Sequence, residues 1–195
     1  MRKITVVMLG IFVFSSLSVN VCRGQEGEDM IEFESLKEAQ DFGWGALPGA
    51  VLKMADESKI GDCALLVEPG PEPKEYMGIE LTRKIDLTGA GPDDKLIMFV
   101  KQNFGQNICV NLRTVKGNVW RYPNTISGQW TRVEVDLDLS KWEQVEGYPV
   151  TAWPELTYLH IYSKGFDKEG EHMLIDGFCF FIGGKPAETA PAPVK

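Results

Sequence analysis

Short runs in which apolar and polar residues alternate one by one constrain the fold of this chain more than any other feature. In Leu156–Ser163, the residues Leu159 and Ile161 occupy one alternate set. The other set is Tyr158, His160 and Tyr162. Successive side chains of a β-strand point to opposite faces, whereas a helix repeats every 3.6 residues. The pattern therefore predicts strands with one face in a core.

Seven further runs that are typical of strands, some alternating and some apolar throughout, are separated by turn sequences such as Glu68-Pro69-Gly70-Pro71 and Lys116-Gly117-Asn118. The eight predicted strands are Ile31–Glu34, Cys63–Glu68, Tyr76–Ile85, Lys95–Gln102, Asn107–Val115, Trp130–Leu137, Leu156–Ser163 and Met173–Ile182. The predicted core residues are Leu66, Ile108, Val110, Leu112, Leu159, Ile161 and Ile175. About eight short strands predict an all-β antiparallel sandwich of jelly-roll type, with at most one helical turn near Lys37–Phe42.

The first 24 residues have the pattern of a signal peptide that is removed on export. Arg2 and Lys3 precede an apolar run from Ile4 to Val19, and small and polar residues follow as far as Gly24. This run is too short and too soon interrupted for a membrane span. We therefore expect a mature protein that is secreted or periplasmic and free of the membrane.

A lipid anchor on Cys22 is the alternative, because this cysteine follows an apolar stretch. Lipobox sequences have small residues before the cysteine, and here Asn20 and Val21 stand there. Cleavage after Gly24 is therefore favoured over lipidation.

Removal of the leader makes an acidic chain more acidic. The sequence has 20 Lys and Arg against 28 Asp and Glu, and loss of three basic residues leaves 17 against 28, a charge of −11. Nucleic acid and anionic membranes need clustered basic residues, so neither is an expected partner. The expected organisation is a flexible N-terminus at 25–30, one domain at 31–182 and a Pro/Ala-rich tail at 183–195.

Three cysteines remain after processing: Cys63, Cys109 and Cys179. Each lies in an apolar run that is typical of a strand, where a lone thiol packs as a small hydrophobe. Buried free thiols are therefore favoured over a disulfide, although pairing of two of the three stays open.

Four segments resemble a known family: Phe33-Glu34, Gly61–Val67, Gly128–Leu137 and Leu174–Phe178. In this order they are similar to non-catalytic carbohydrate-binding modules with the galactose-binding-like jelly-roll fold. The resemblance implies a sandwich that binds a glycan without chemistry. It also implies one structural calcium ion, for which Glu34 and Asp176 are the matching ligands, while the loop ligands cannot be placed.

A candidate binding face follows from two strands. In Asn107–Val115 the polar Asn111 and Arg113 face away from the core, and the jelly-roll order implied by the resemblance places this strand in the same sheet as Leu156–Ser163. Pyranose rings stack their C–H faces on aromatic rings, while polar side chains bond their hydroxyls. The predicted ligand-binding residues are Tyr158, His160, Tyr162, Asn111, Arg113 and Trp120. The alternative is that these side chains only cover the sheet.

Two catalytic interpretations were weighed against binding. Glu134, Asp136 and Asp138 alternate like the acidic strand of jelly-roll glycoside hydrolases, but the third acid of that strand is Glu, and an Asp would misplace the proton donor. Asn111, Arg113, His160 and a tyrosine match in kind the groups of jelly-roll polysaccharide lyases, whose signatures are missing here.

Three hypotheses therefore remain. The first is a secreted non-catalytic domain whose partner is an oligo- or polysaccharide. The second is a structural or protein-interaction sandwich, which would bind a protein partner, and the third is a lyase.

Overall fold

A computed structural model describes residues 21–23, 29–145, 149–164, 168–183 and 185–186, and nearly all of its regular structure is β. The strands are β1 Val21–Arg23, β2 Asp29–Ile31, β3 Trp44–Ala46, β4 Ala50–Ala55, β5 Ala64–Pro69, β6 Tyr76–Leu81, β7 Ile85–Asp86, β8 Lys95–Gln102, β9 Ile108–Thr114, β10 Gly117–Arg121, β11 Thr131–Asp136, β12 Glu143–Gln144, β13 Glu155–Lys164, β14 Met173–Ile182 and β15 Lys185–Pro186. The helices are α1 Leu36–Phe42 and a 3₁₀ turn at Leu139–Lys141.

These strands form two antiparallel sheets. In the first, β14 lies between β8 and β5, with β11 beyond β8 and β4 beyond β5. The short strands β2 and β15 also pair with β14, and β1 pairs with β2. The second sheet has the order β12-β10-β9-β13-β6-β3, and β7 pairs with the start of β13. The predicted β-sandwich is confirmed.

The core lies between the inner faces of the sheets. Ile108, Val110 and Leu112 of β9 are fully buried, and Leu159 and Ile161 of β13 are at most 1% exposed. Full burial of such a side chain stabilises a fold by about 1.5–3 kcal/mol. Ile175 of β14 is buried as well, so six of the seven predicted core residues lie in the core.

The prediction for Leu66 is wrong. Its neighbours Leu65 and Val67 are buried in the core, whereas Leu66 is half-buried on the outer face of the first sheet. The run Ala64–Val67 is apolar throughout, so its sequence does not show which alternate set faces inward.

A short helix follows the second strand, as predicted near Lys37–Phe42. Ser35 is its N-cap and accepts the backbone N–H of Glu38, and Gly43 ends it in the left-handed conformation at φ +117°. This helix buries Phe42 against the core. It has seven residues, and within the described ranges no helix exceeds three turns.

Several strand boundaries differ from the prediction. The first strand is Asp29–Ile31 rather than Ile31–Glu34, and Tyr76–Ile85 is divided into β6 and β7. The strands β3, β4 and β10 were not predicted. The last of these begins at Gly117, inside the predicted turn, because Gly117 and Thr114 already pair across a tight hairpin.

The three cysteines are free, with Cys109 and Cys179 buried and Cys63 half-buried, as favoured from the sequence. Within the described ranges, no helix is both long and apolar enough to cross a membrane. Most of the predicted signal peptide and residues 187–195 of the predicted tail lie outside the described residues. The strand β1 falls within the predicted leader, and β15 falls within the predicted tail.

Candidate functional site

The outer face of the second sheet carries the predicted binding residues on adjacent strands. His160 of β13 lies opposite Asn111 of β9 on one side and Glu80 of β6 on the other. Trp120 of β10 lies opposite Asn111 in turn. The prediction that the Asn107–Val115 and Leu156–Ser163 strands belong to one sheet is confirmed, and their direct pairing places these four side chains in one row across the sheet.

Two further rows flank this one. Tyr162 lies opposite Cys109 and Gly78, while Tyr158 lies opposite Arg113, whose other neighbour is Asn118. Tyr162 follows Tyr158 by four positions in β13, which corresponds to about 13 Å along a strand. The face is therefore long enough for an extended ligand.

These rows border a groove of about 660 Å³. Its lining residues are Leu47, Pro48, Lys74, Glu75, Tyr76, Asn111, Asn118, Trp120, Tyr122, Tyr158, His160 and Tyr162. Tyr76 and Tyr122 are 49% and 52% exposed, and Tyr158 and Tyr162 are half-buried. The expectation that Tyr158 and Tyr162 emerge from the sheet is confirmed, so a ligand can reach both rings.

At one end of the groove, Tyr158 and His160 stack face to face with ring centroids 4.3 Å apart and an interplanar angle of 15°. Arg113 donates a hydrogen bond to the hydroxyl of Tyr158, and its guanidinium lies 5.0 Å from the centre of the same ring. Arg113 thereby fixes the ring of Tyr158 from outside the groove.

His160 is a neutral imidazole at neutral pH. Burial lowers its pKa, and the nearby Arg113 acts in the same direction. The carboxylate of Glu80, whose Oε2 lies 3.4 Å from Nε2, opposes them only in part. A neutral ring has one donor and one acceptor nitrogen, which suits hydroxyl groups.

At the other end, Tyr162 and Tyr76 meet edge to face, with centroids 5.7 Å apart at 85°. Gly78 lies directly beside Tyr162, since a Cβ at Gly78 would stand 2.5 Å from the Cα of Tyr162. Burial is the main cause that raises the pKa of the Tyr162 phenol. Its hydroxyl therefore stays protonated and remains a hydrogen-bond donor.

Trp120 forms the wall across from the tyrosines. Its indole Nε1 donates to Oε2 of Glu143 at 2.7 Å, which anchors the half-buried ring. The amide of Asn111 on the floor donates to the carbonyl of Val119 at 3.3 Å. Both polar groups are thus held in place by the neighbouring strand.

Five of the six predicted ligand-binding residues line the groove: Tyr158, His160, Tyr162, Asn111 and Trp120. Arg113 does not line it, and its guanidinium instead lies 5.0 Å from the centre of the Tyr158 ring. Sequence reasoning missed Tyr76, Asn118 and the segments 47–48 and 74–75. Tyr76 occupies an outward position of its strand, so alternation was the available signal for it.

Asp176 is not a surface carboxylate. It is 5% exposed, and its Oδ2 accepts the backbone N–H groups of Lys59 and Ile60 at 2.6 and 2.7 Å, while Oδ1 accepts that of Gly177 at 2.8 Å. Burial raises its pKa, and the three amides oppose the rise.

The predicted partner of Asp176 in a calcium site, Glu34, is exposed. A calcium ion takes six to eight oxygen ligands, and here it would share the Asp176 carboxylate with the 59–60 loop. No group of three or more acidic, His or Cys side chains with metal-binding geometry occurs among the described residues. Calcium binding by Glu34 and Asp176 remains a prediction.

The alternating acids of β11 are held in ion pairs. Glu134 contacts Lys95 at 3.1 Å, and Asp136 contacts Lys141 at 2.8 Å. The bond to Lys141 is the main cause that lowers the pKa of Asp136. Asp138 stands in the place of the proton donor, and hydrogen bonds from the side chain and backbone of Ser140 lower its pKa. A carboxyl with a lowered pKa is a poor proton donor at neutral pH, which argues against the hydrolase interpretation.

No protein-family model and no curated protein matches the chain in sequence. Solved structures do match in fold. The family 11 carbohydrate-binding module from Clostridium thermocellum, in complex with a β-1,3-1,4-mixed-linked tetrasaccharide, has a TM-score of 0.54 at 14% identity over 80% of this chain and 95% of that chain.

Two larger proteins contain a similar domain. An exo-β-agarase has a TM-score of 0.57 at 10% identity over 78% of this chain and 24% of that chain. The arabinose-bound α-L-arabinofuranosidase MgGH51 has a TM-score of 0.51 at 14% identity over 75% of this chain and 24% of that chain. This chain thus spans about a quarter of those two proteins. The fold is the jelly-roll sandwich that occurs in carbohydrate-binding modules.

Proposed function

We propose that this chain is an exported, non-catalytic domain that binds an oligo- or polysaccharide in the groove on the outer face of the second sheet. One observation carries the proposal. The rings of Tyr76, Trp120, Tyr122, Tyr158 and Tyr162 line one groove with His160 among them. Aromatic rings that serve only the fold are normally covered, whereas two of these are about half exposed.

Sugar recognition suits the chemistry of this groove. Apolar C–H faces of a pyranose pack on the tyrosine and tryptophan rings, and its hydroxyls need directional partners. Tyrosine hydroxyls can donate and accept, and His160, whose Nε2 faces Glu80, has Nδ1 left for a sugar hydroxyl. Both kinds of interaction are available within a volume typical of ligand sites.

The groups near the groove favour ligand binding over catalysis. His160 is stacked on Tyr158 with its Nε2 turned toward Glu80, and burial lowers its pKa, which makes it a weaker general base. Arg113 is directed at the hydroxyl of Tyr158 and not into the groove. A lyase would need such a cation at the substrate carboxylate, so the lyase interpretation is weaker.

Export is proposed from the leader-like segment at residues 1–24. Material recovered from a secreting host should begin at or near Gln25. An intact Met1 on exported protein would contradict export with cleavage, and an acylated Cys22 would replace it with lipid anchoring.

A glycan array with four proteins tests the binding proposal. Wild type should bind at least one glycan without turnover, and Tyr158→Ala and Tyr162→Ala should bind it more weakly. Ile126→Ala is the control, because Ile126 is 58% exposed and does not line the groove. Circular dichroism of all four proteins establishes that the fold is intact. Absence of binding by wild type to any glycan, or equal binding by the tyrosine variants, would refute the proposal.

A further inference from the structure

The charged groups around the groove point to the class of glycan that it takes. Among the described residues that line the groove, only Lys74 and Glu75 carry a full charge at neutral pH, since His160 is neutral there. The lining is otherwise aromatic, amide or aliphatic. A ligand in the groove therefore meets no concentrated charge of either sign.

The acids that border the groove already have partners. Glu75 forms an ion pair with Lys164 at 2.7 Å, and Glu80 faces His160 at 3.4 Å. Glu143 accepts the indole N–H of Trp120. An anionic chain in the groove would therefore lie close to three carboxylates, which would repel it.

Recognition of carboxylate or sulfate groups normally uses an Arg fork or a Lys cluster that is free to reach the ligand. Arg113 is hydrogen-bonded to the hydroxyl of Tyr158 and lies over that ring, and it is not one of the residues that line the groove. Lys164 is engaged by Glu75. Lys74 alone is a poor counterpart for a polyanion on a protein of net charge −8.

We infer that the groove takes an uncharged glycan and discriminates against chains that carry carboxylate or sulfate groups. This inference rests on the proposed function, and it adds the class of ligand. Selectivity arises from two features of the site. Its rings and hydroxyls bind a neutral sugar, whereas its rim acids and the negative charge of the whole protein repel an anionic one.

The test compares ligands that differ in charge and little else. Mixed-linkage β-glucan, arabinoxylan and agarose are each assayed by affinity electrophoresis beside their carboxymethylated derivatives at low salt. Hydroxyethylated derivatives are the control for added bulk, because they carry no charge. We expect binding to an uncharged polymer and its hydroxyethyl derivative, with binding to the carboxymethyl derivative weaker by about tenfold or more.

Added salt and one variant sharpen the result. Sodium chloride should leave the affinity for the uncharged polymer unchanged and should reduce the difference in affinity between that polymer and its carboxymethyl derivative. Glu75→Gln, which frees Lys164, should reduce that difference at low salt as well. Equal or tighter binding of a carboxymethyl derivative than of its parent polymer would overturn the inference. Failure of every polymer of both kinds would instead remove the proposed function, and the inference with it.

Discussion

Replacing Arg113 by methionine should weaken glycan binding only through Tyr158. Methionine keeps much of the apolar stem but has no charge and no N–H donor. The Arg113 side chain is exposed, and its guanidinium lies 5.0 Å from the centre of the Tyr158 ring. A cation–π contact at an exposed site contributes about 0.5–1 kcal/mol. The loss of affinity is bounded by this energy, so it should reach at most about fivefold.

Tyr158→Ala should have a larger effect, because it removes a ring from the groove itself. If stacking on a sugar resembles stacking on a nucleic-acid base, the loss is about 1–3 kcal/mol. Once the ring is gone, Arg113 has nothing left to position. The double variant should therefore bind as Tyr158→Ala does, within about 0.5 kcal/mol.

Isothermal titration of the four proteins of this cycle with one uncharged oligosaccharide measures the coupling. A loss on Arg113→Met that is absent in the Tyr158→Ala background identifies Arg113 as a positioning residue. Equal losses in both backgrounds would show that Arg113 contacts the ligand directly and does not act through Tyr158.

Three further predictions concern stability. Asp176→Ala leaves three backbone N–H groups without their acceptor and should destabilise the domain by about 3 kcal/mol, which lowers the Tm by about 6–12 °C. The control Asp93→Asn, at an exposed position, should leave the Tm unchanged. An unchanged Tm for Asp176→Ala would contradict the anchoring role of this carboxylate. If Glu34 and Asp176 hold a calcium ion, EDTA should lower the Tm of wild type. An unchanged Tm would contradict the proposed calcium site. Because folding lowers the pKa of His160 below its ordinary 6.5, wild type should lose stability relative to His160→Gln as pH falls from about 6.5, whereas parallel denaturation profiles from pH 8 to pH 5 would contradict that shift.

The central strands of the candidate site were predictable because their alternation is unambiguous. Leu159 and Ile161 are strongly apolar, and the tyrosines and histidine between them are not, so one face of the strand had to be the outer one. Arg113 shows the limit of this reasoning. Alternation places it on the correct face, but only side-chain geometry shows that it turns onto Tyr158 instead of into the groove.

Other parts of the site depend on contacts distant in sequence. Tyr76 joins the groove because β6 pairs with β13, which places its ring against Tyr162. Trp120 joins it because β10 pairs with β9 and places Trp120 opposite Asn111, and Tyr122 follows directly after β10. The groove wall at 47–48 comes from a segment with no predicted strand, and only the packing of the chain brings it to the tyrosines. Such pairings are not contained in local periodicity.

Chemical-shift mapping tests the location of binding most directly. Isotope-labelled protein is titrated with the β-1,3-1,4-mixed-linked tetrasaccharide and with the uncharged glycan that binds best on the array. With the glycan that binds best on the array, we expect the perturbed backbone amides to cluster at Asn111, Trp120 and residues 158–162, and the amides of Lys101 and Phe181 in the first sheet to stay unchanged. Perturbations centred on the first sheet, or none near residues 158–162 while the glycan binds, would contradict it.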